Sequence, residues 1–365
     1  MNNNLPKEQS LTVLNIAAFI IIIAGIIFAK SIIAPFLMAL FISIICAQPI
    51  FWLEKKKVPK GLSILIVLIG ILSIFFGFGY LIGNAIASFT SNAPNYEADL
   101  KAISETFIQF LNNNGITVTK DQLPNLSDPS RILSYTVVAV NELVNMMGNT
   151  FLVFLTILFM LLELNSFSDK LRAVFNGPPE SFGYLTKITD SIRRYLGIKT
   201  IFGILTSILL YIALSIIGLN YAILWALIAG LMSYIPNIGS IIAAIPALLF
   251  ALLQLGMGGA VWTLLSFMAV NNILGNFIEP KIMGKGLSLS TLVVFLSLIF
   301  WGFVLGTVGM FLAVPLTISI KIALEQNEKT RWIAVLLGTP NDAKIHLEEN
   351  DNKTHSAEQN TKSTG

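Results

Sequence analysis

Between Thr200 and Ile278 the chain carries no charged residue at all. Soluble domains are about one-quarter charged, so a stretch of this length cannot build a solvated surface. Only about 20 apolar residues are needed to cross a hydrocarbon core of roughly 30 Å. Further charge-free runs cover Leu11–Ala29, Ile32–Leu53, Leu62–Ser88, Leu143–Leu162 and Leu287–Ile320. Over its 365 residues the chain is 55% hydrophobic and 12% charged. The pattern predicts an all-α integral membrane protein whose solvent is the lipid bilayer.

Punctuation between the runs organises the chain. Residues 1–88 form an N-terminal membrane region of three spans. Residues 89–142 form a polar, outward-facing helical segment, in which Tyr96–Leu111 has amphipathic helical spacing and Asp128–Pro129 reads as a helix start. Residues 143–340 form the C-terminal membrane region, including the polar segment 163–199 with its short amphipathic helix around Tyr184–Leu196. Residues 341–365 read as a disordered polar tail. Leu11–Ala29 is long for a signal-peptide core and reads as a retained span.

Charge asymmetry sets the expected orientation. The loop at 54–60 carries Lys55, Lys56, Lys57 and Lys60, and 163–199 carries Lys170, Arg172, Lys187, Arg193, Arg194 and Lys199. Both should be cytoplasmic. Residues 89–142 hold six acids and three bases and should face outward. Both termini then lie in the cytoplasm of a multi-pass protein.

Two apolar segments contain breaks. Tyr221–Leu255 would be roughly 52 Å long as one helix, yet it holds Pro236, Asn237, Gly239 and Pro246 within "SYIPNIGSIIAAIP". Leu287–Ile320 is interrupted by "WGFVLGTVG", with Trp301, Gly302, Gly306 and Gly309. Each is a kinked span or a re-entrant hairpin. Hairpins place Lys281 and Lys285 inside, as the charge rule prefers, and leave about 260–278 as the crossing between them. The expected architecture is about six full spans plus two broken, re-entrant hairpins.

Irregular backbone at membrane depth is tolerated where it is buried in protein or lines a wet cavity, and its freed dipoles can hold a polar solute. The candidate pathway therefore comprises Tyr234, Pro236, Asn237, Gly239 and Ser240 at the first break. Beside them come Asn271, Asn272, Asn276 and Glu279, then Trp301, Gly302, Gly306 and Gly309 at the second. Asn272 and Asn276 share a helix face; bonds between helices are the alternative use for such amides. Glu279 is the sole acid between 200 and 320, and reads either as an interfacial anchor or as a proton carrier.

Other classes find little support. His346 and His355 both lie in the tail, so no paired-histidine metal site falls within the membrane. No Gly-rich phosphate loop is present, Ser240 has no base for nucleophilic work, and no cofactor is implied. A net charge of +3 does not suggest nucleic acid. Cys46, the only cysteine, excludes an intramolecular disulfide.

"YIPNIGSIIAAIPA" (Tyr234–Ala247) and the run from Gly275 to Glu325, "GNFIEPKIMGKGLSLSTLVVFLSLIFWGFVLGTVGMFLAVPLTISIKIALE", closely resemble the autoinducer-2 exporter family of bacterial inner-membrane proteins. The similarity is greatest to the branch described as autoinducer-2 transport proteins. "APFLMALFISIICAQPIFWLEKK" resembles the family's second span. The resemblance covers about residues 10–338; Thr307 departs from it, where proline is expected. It implies a homo-oligomeric transporter exporting a small polar solute, first of all autoinducer-2, without a nucleotide-binding domain. The alternative it implies is a sodium(lithium)/proton antiporter using Glu279, with H+ or Na+ as coupling ion.

Overall fold

The computed structural model describes residues 7–91, 150–175, 183–283, 289–340 and 344. The segment Tyr96–Leu111, the start at Asp128–Pro129 and the tail from 345 onward lie outside the described residues. Among those described there is no strand. The helices are α1 (Lys7–Phe28), α2 (Lys30–Lys55), α3 (Lys60–Ser91), α4 (Thr150–Phe175), α5 (Gly183–Ile217), α6 (Ala222–Met232) and α7 (Gly239–Val270). A π-helix (Asn271–Ile278) follows, then α8 (Glu279–Met283), α9 (Thr291–Leu305), α10 (Thr307–Glu325) and α11 (Arg331–Leu337).

Five stretches among the described residues are long and apolar enough to cross a membrane: Lys30–Lys55, Lys60–Ala85, Thr186–Ile217, Gly239–Met283 and Thr307–Glu325. On α5, Ile201, Ile204, Ile208, Ile212 and Ile216 stand exposed while Phe202, Leu210 and Leu214 are buried. An exposed apolar face of this extent belongs against lipid or another protein surface and not against water. The amphipathic helix around Tyr184–Leu196 is not separate, because α5 runs through it without interruption. No proline stands between Gly183 and Ile217 to stop it.

The chain divides into two compact units, one of Met1–Ile45, Leu152–Leu196 and Gly284–Gly365, the other of Cys46–Phe151 and Gly197–Met283. In the second unit, α5 and α6 meet at two glycines. A Cβ on Gly230 would lie 2.6 Å from the Gly203 carbonyl oxygen and 2.0 Å from Ser207 Oγ. Small residues let the two backbones touch, the usual device for packing helices in lipid. The α5–α6 turn needs left-handed backbone at Gly218 (φ 82°) and Tyr221 (φ 57°). Gln254 secures it, accepting from Asn220 N at 2.7 Å and donating to Gly218 O at 2.9 Å.

After α6 the helix stops at residues 233–238, where Asn237 adopts φ 62°, and α7 then packs back on α6. Gly239 makes this return possible: a Cβ there would lie 1.8 Å from Met232 O. Pro246, grouped with the breakers on sequence, does not break anything and sits inside α7. The true interruption comes at Gly256 (φ 70°, ψ −166°), which divides α7 into 239–255 and 257–270. Only glycine adopts that conformation readily.

The first unit contains the other broken segment. Ser290 caps α9 by accepting from Val293 N at 3.2 Å, and α9 and α10 pack together about Gly306 (φ 70°, ψ −150°). Gly309 sits so close that a Cβ would lie 1.9 Å from Trp301 O. At the far end of α10, Lys187 bonds Glu325 at 2.9 Å.

Candidate functional site: a cavity at the first helix break

The break at 233–238 opens onto a cavity of about 280 Å³. Pro236, Asn237 and Ser240 line it from the break and the start of α7, and Asn271, Asn276 and Glu279 from the π-helix and α8. Lys199, Phe202, Thr206 and Leu210 contribute one stripe of α5, while Ala229 and Ser233 contribute the end of α6. A break frees backbone groups, and a π-helix widens the turn at positions that often serve function. Here the two irregularities face one space.

Within this lining, Lys199 Nζ lies 2.5 Å from Glu279 Oε1, and the two side chains are only 7% and 12% exposed. The same ammonium donates to Ser233 O at 3.0 Å. One lysine thus balances the acid beyond the π-helix and satisfies a carbonyl released where α6 ends. A buried pair of this kind has to recover a large desolvation cost, and it does so best when both groups gain further hydrogen bonds. The carbonyl of Ser233 supplies one.

The remaining predicted residues divide. Tyr234 does not line the cavity; its hydroxyl shares a 2.7 Å hydrogen bond with Thr200 Oγ1, tying the break to α5. Gly239 acts through its missing side chain. Asn272 points elsewhere: its Nδ2 donates to Met268 O at 2.8 Å, and its Oδ1 accepts from Asn276 Nδ2 at 2.9 Å. The shared face read from the Asn272–Asn276 spacing is therefore present, with Asn272 orienting Asn276 at the cavity wall.

Trp301, Gly302, Gly306 and Gly309 belong to the first unit, apart from the residues that line this cavity. Trp301 Nε1 donates to Thr317 Oγ1 at 3.1 Å, and Thr317 Oγ1 donates in turn to Ala313 O at 2.7 Å. Gly302 sits against Met310, a Cβ there lying 3.0 Å from its side chain. These are packing contacts within α9 and α10.

Sequence reasoning passed over Lys199 and Thr206 as site residues. Lys199 counted only toward the positive charge of the preceding polar segment. The one available signal was its place as the last charge before the long neutral run, facing Glu279, the first charge after it.

Comparison with known proteins accounts for nearly the whole chain. Residues 16–329 match the model of the AI-2E family transporters. The chain is 39% identical to the AI-2 transport protein TqsA of Escherichia coli (strain K12), over 90% of this chain and 96% of that one. A Haemophilus influenzae protein named for transport is 39% identical over 94% of this chain and the whole of its own length. The E. coli protein YhhT is 30% identical, with 89% and 93% covered. A family match of this extent, carried by a multi-pass helical membrane protein, shows that the chain belongs to the AI-2E family of transporters.

Proposed function

We propose that this protein exports a small polar solute across the bacterial inner membrane, the quorum-sensing signal autoinducer-2 being the cargo its relative TqsA is named for. The observation that carries the reading is the cavity, where Asn237, Ser240, Asn271 and Asn276 offer uncharged donors and acceptors beside a neutralised ion pair. Such a lining suits a hydroxyl- or carbonyl-bearing molecule better than a bare ion. Lys199 already pairs with one oxygen of Glu279, so a sodium ion bound there, as the antiporter alternative requires, would have to compete with that ammonium. The family and its named relatives are transporters, and the reading is transport.

Length supports the hairpin reading at the first leg of each broken segment, although α10, at 19 residues, is long enough to cross by itself. At 11 and 15 residues, α6 and α9 reach roughly 16 and 22 Å, short of a 30 Å core. Hairpins keep both termini and Met283 on the cytoplasmic side. Homo-oligomeric assembly is the arrangement the resemblance implies.

Efflux from proteoliposomes loaded with autoinducer-2 tests the function. Release should be faster than from protein-free vesicles and should saturate with internal concentration; equal release rejects the reading. A cysteine at Met283 in a Cys46→Ser background should react with impermeant reagent from the cytoplasmic side only. Labelling from outside would replace hairpins with kinked spans.

A further inference from the structure

Two polar atoms in the second unit are buried and have no hydrogen-bond partner among the described residues: Trp225 Nε1 and Thr263 Oγ1. Trp225 is 3% exposed and Thr263 is fully buried. Nearly all buried polar groups in folded proteins are hydrogen-bonded, so each exception calls for a physical account. Trp225 packs its ring on Phe250, with centroids 5.6 Å apart, and that contact leaves its N–H unanswered. Thr263 shares its helix with Ser266, whose hydroxyl donates to Trp262 O at 2.9 Å; Thr263 makes no such bond to its own helix.

Their positions relate them to the cavity. Trp225 precedes Ala229 on α6 by four residues, and Thr263 precedes Phe267 on α7 by four, and both Ala229 and Phe267 line the cavity. Residues four apart share a helix face. Lys199 bonds Ser233 O just after α6 and bonds Glu279 nine residues beyond the end of α7. One turn back on either helix therefore leads away from the residues that hold the ion pair. The α5 stripe through Thr206 and Leu210 runs in that direction too. Two lining stripes thus lead, one turn on, to an unanswered polar atom each.

Resting on the transport reading above, we propose that the translocation path extends beyond the cavity along Trp225 and Thr263. Their indole N–H and hydroxyl are hydrogen-bonding stations for a hydroxyl- or carbonyl-bearing solute and its accompanying water. The chemistry matches that cargo: the indole only donates, whereas the hydroxyl donates and accepts. Neither carries charge, so a neutral polar molecule passes without trapping. In this structure the two groups stand unsatisfied, which fits a site that sacrifices stability for function.

Two measurements on the full-length protein test this. Trp225→Phe and Thr263→Val remove the polar atoms while keeping most of the ring and the branched shape. Efflux of autoinducer-2 should fall about tenfold for each, the effect of one lost hydrogen bond in the path. The melting temperature should stay level or rise, because an unsatisfied buried group has gone. Wild-type efflux would overturn the proposal, and so would lost efflux with a lowered melting temperature, which marks a packing role. Independently of cargo, Thr263→Cys in the Cys46→Ser background should react with a small hydrophilic methanethiosulfonate, while Leu264→Cys, on the exposed apolar face, should not. An inert Thr263→Cys also overturns the proposal. If the wild-type protein moves no autoinducer-2, the cargo assignment fails by itself, and the labelling result still decides whether this path is wet.

Discussion

The two broken segments, α6 to 255 in one unit and α9–α10 in the other, are closed by the same device and equipped differently. In each, a glycine sits where a Cβ would collide with a carbonyl of the preceding helix, Gly239 against Met232 O and Gly309 against Trp301 O. The second turns at Gly306 itself, with φ 70°, whereas the glycine with the same φ near the first, Gly256, follows that segment and divides α7. The first has in addition an irregular stretch at 233–238, a left-handed Asn237 and a cavity. The second turns on Gly306 alone, and its indole is satisfied by Thr317. Glycine at a helix break is thus a packing requirement common to both, and says nothing about cargo. What separates the segments is whether polar groups are left facing open space.

The largest effect should come from the ion pair at the first break. Lys199→Met or Glu279→Gln leaves one buried partner unmatched, costing about 3 kcal/mol, and efflux should be lost. The double variant should recover much of the stability and none of the efflux. Single variants that melt like wild type would show the pair to be unimportant to the fold. The glycines come next. Gly239→Ala and Gly309→Ala should each destabilise by about 2 kcal/mol, the scale of overpacking against a fixed neighbour. Tolerance of one and not the other, in thermal melts, would break the parallel between the two closures.

Asn237 separates conformation from chemistry. Asn237→Gly keeps the left-handed backbone and should reduce efflux with little change in melting temperature. Asn237→Ala should lose efflux and about 1 kcal/mol of stability as well, because alanine resists that backbone. Equal stability of the two variants would remove the conformational argument. The smallest effect belongs to the second segment. Trp301→Phe gives up one satisfied hydrogen bond, about 1 kcal/mol, and should leave efflux unchanged. A strong efflux defect there would return the second break to the pathway.

The sequence by itself determined the solvent, the apolar runs and two of the places where helices break, at 233–238 and at Gly306, but not the one at Gly256. These are local properties: charge-free length against bilayer thickness, and glycine, proline or asparagine where helical backbone fails. Even there, Pro246 shows the limit, since a proline in lipid can stay within a helix that its neighbours support. Tertiary structure alone decided which polar groups meet. Lys199 and Glu279 are separated by the entire neutral run, and no periodicity links them. Tyr234, prominent in the break, turns to Thr200, while Trp225 and Thr263 look like ordinary membrane-helix residues until their lack of partners is seen. Helix formation is governed by neighbours in sequence, whereas the satisfaction of a buried polar atom depends on whatever the fold places beside it.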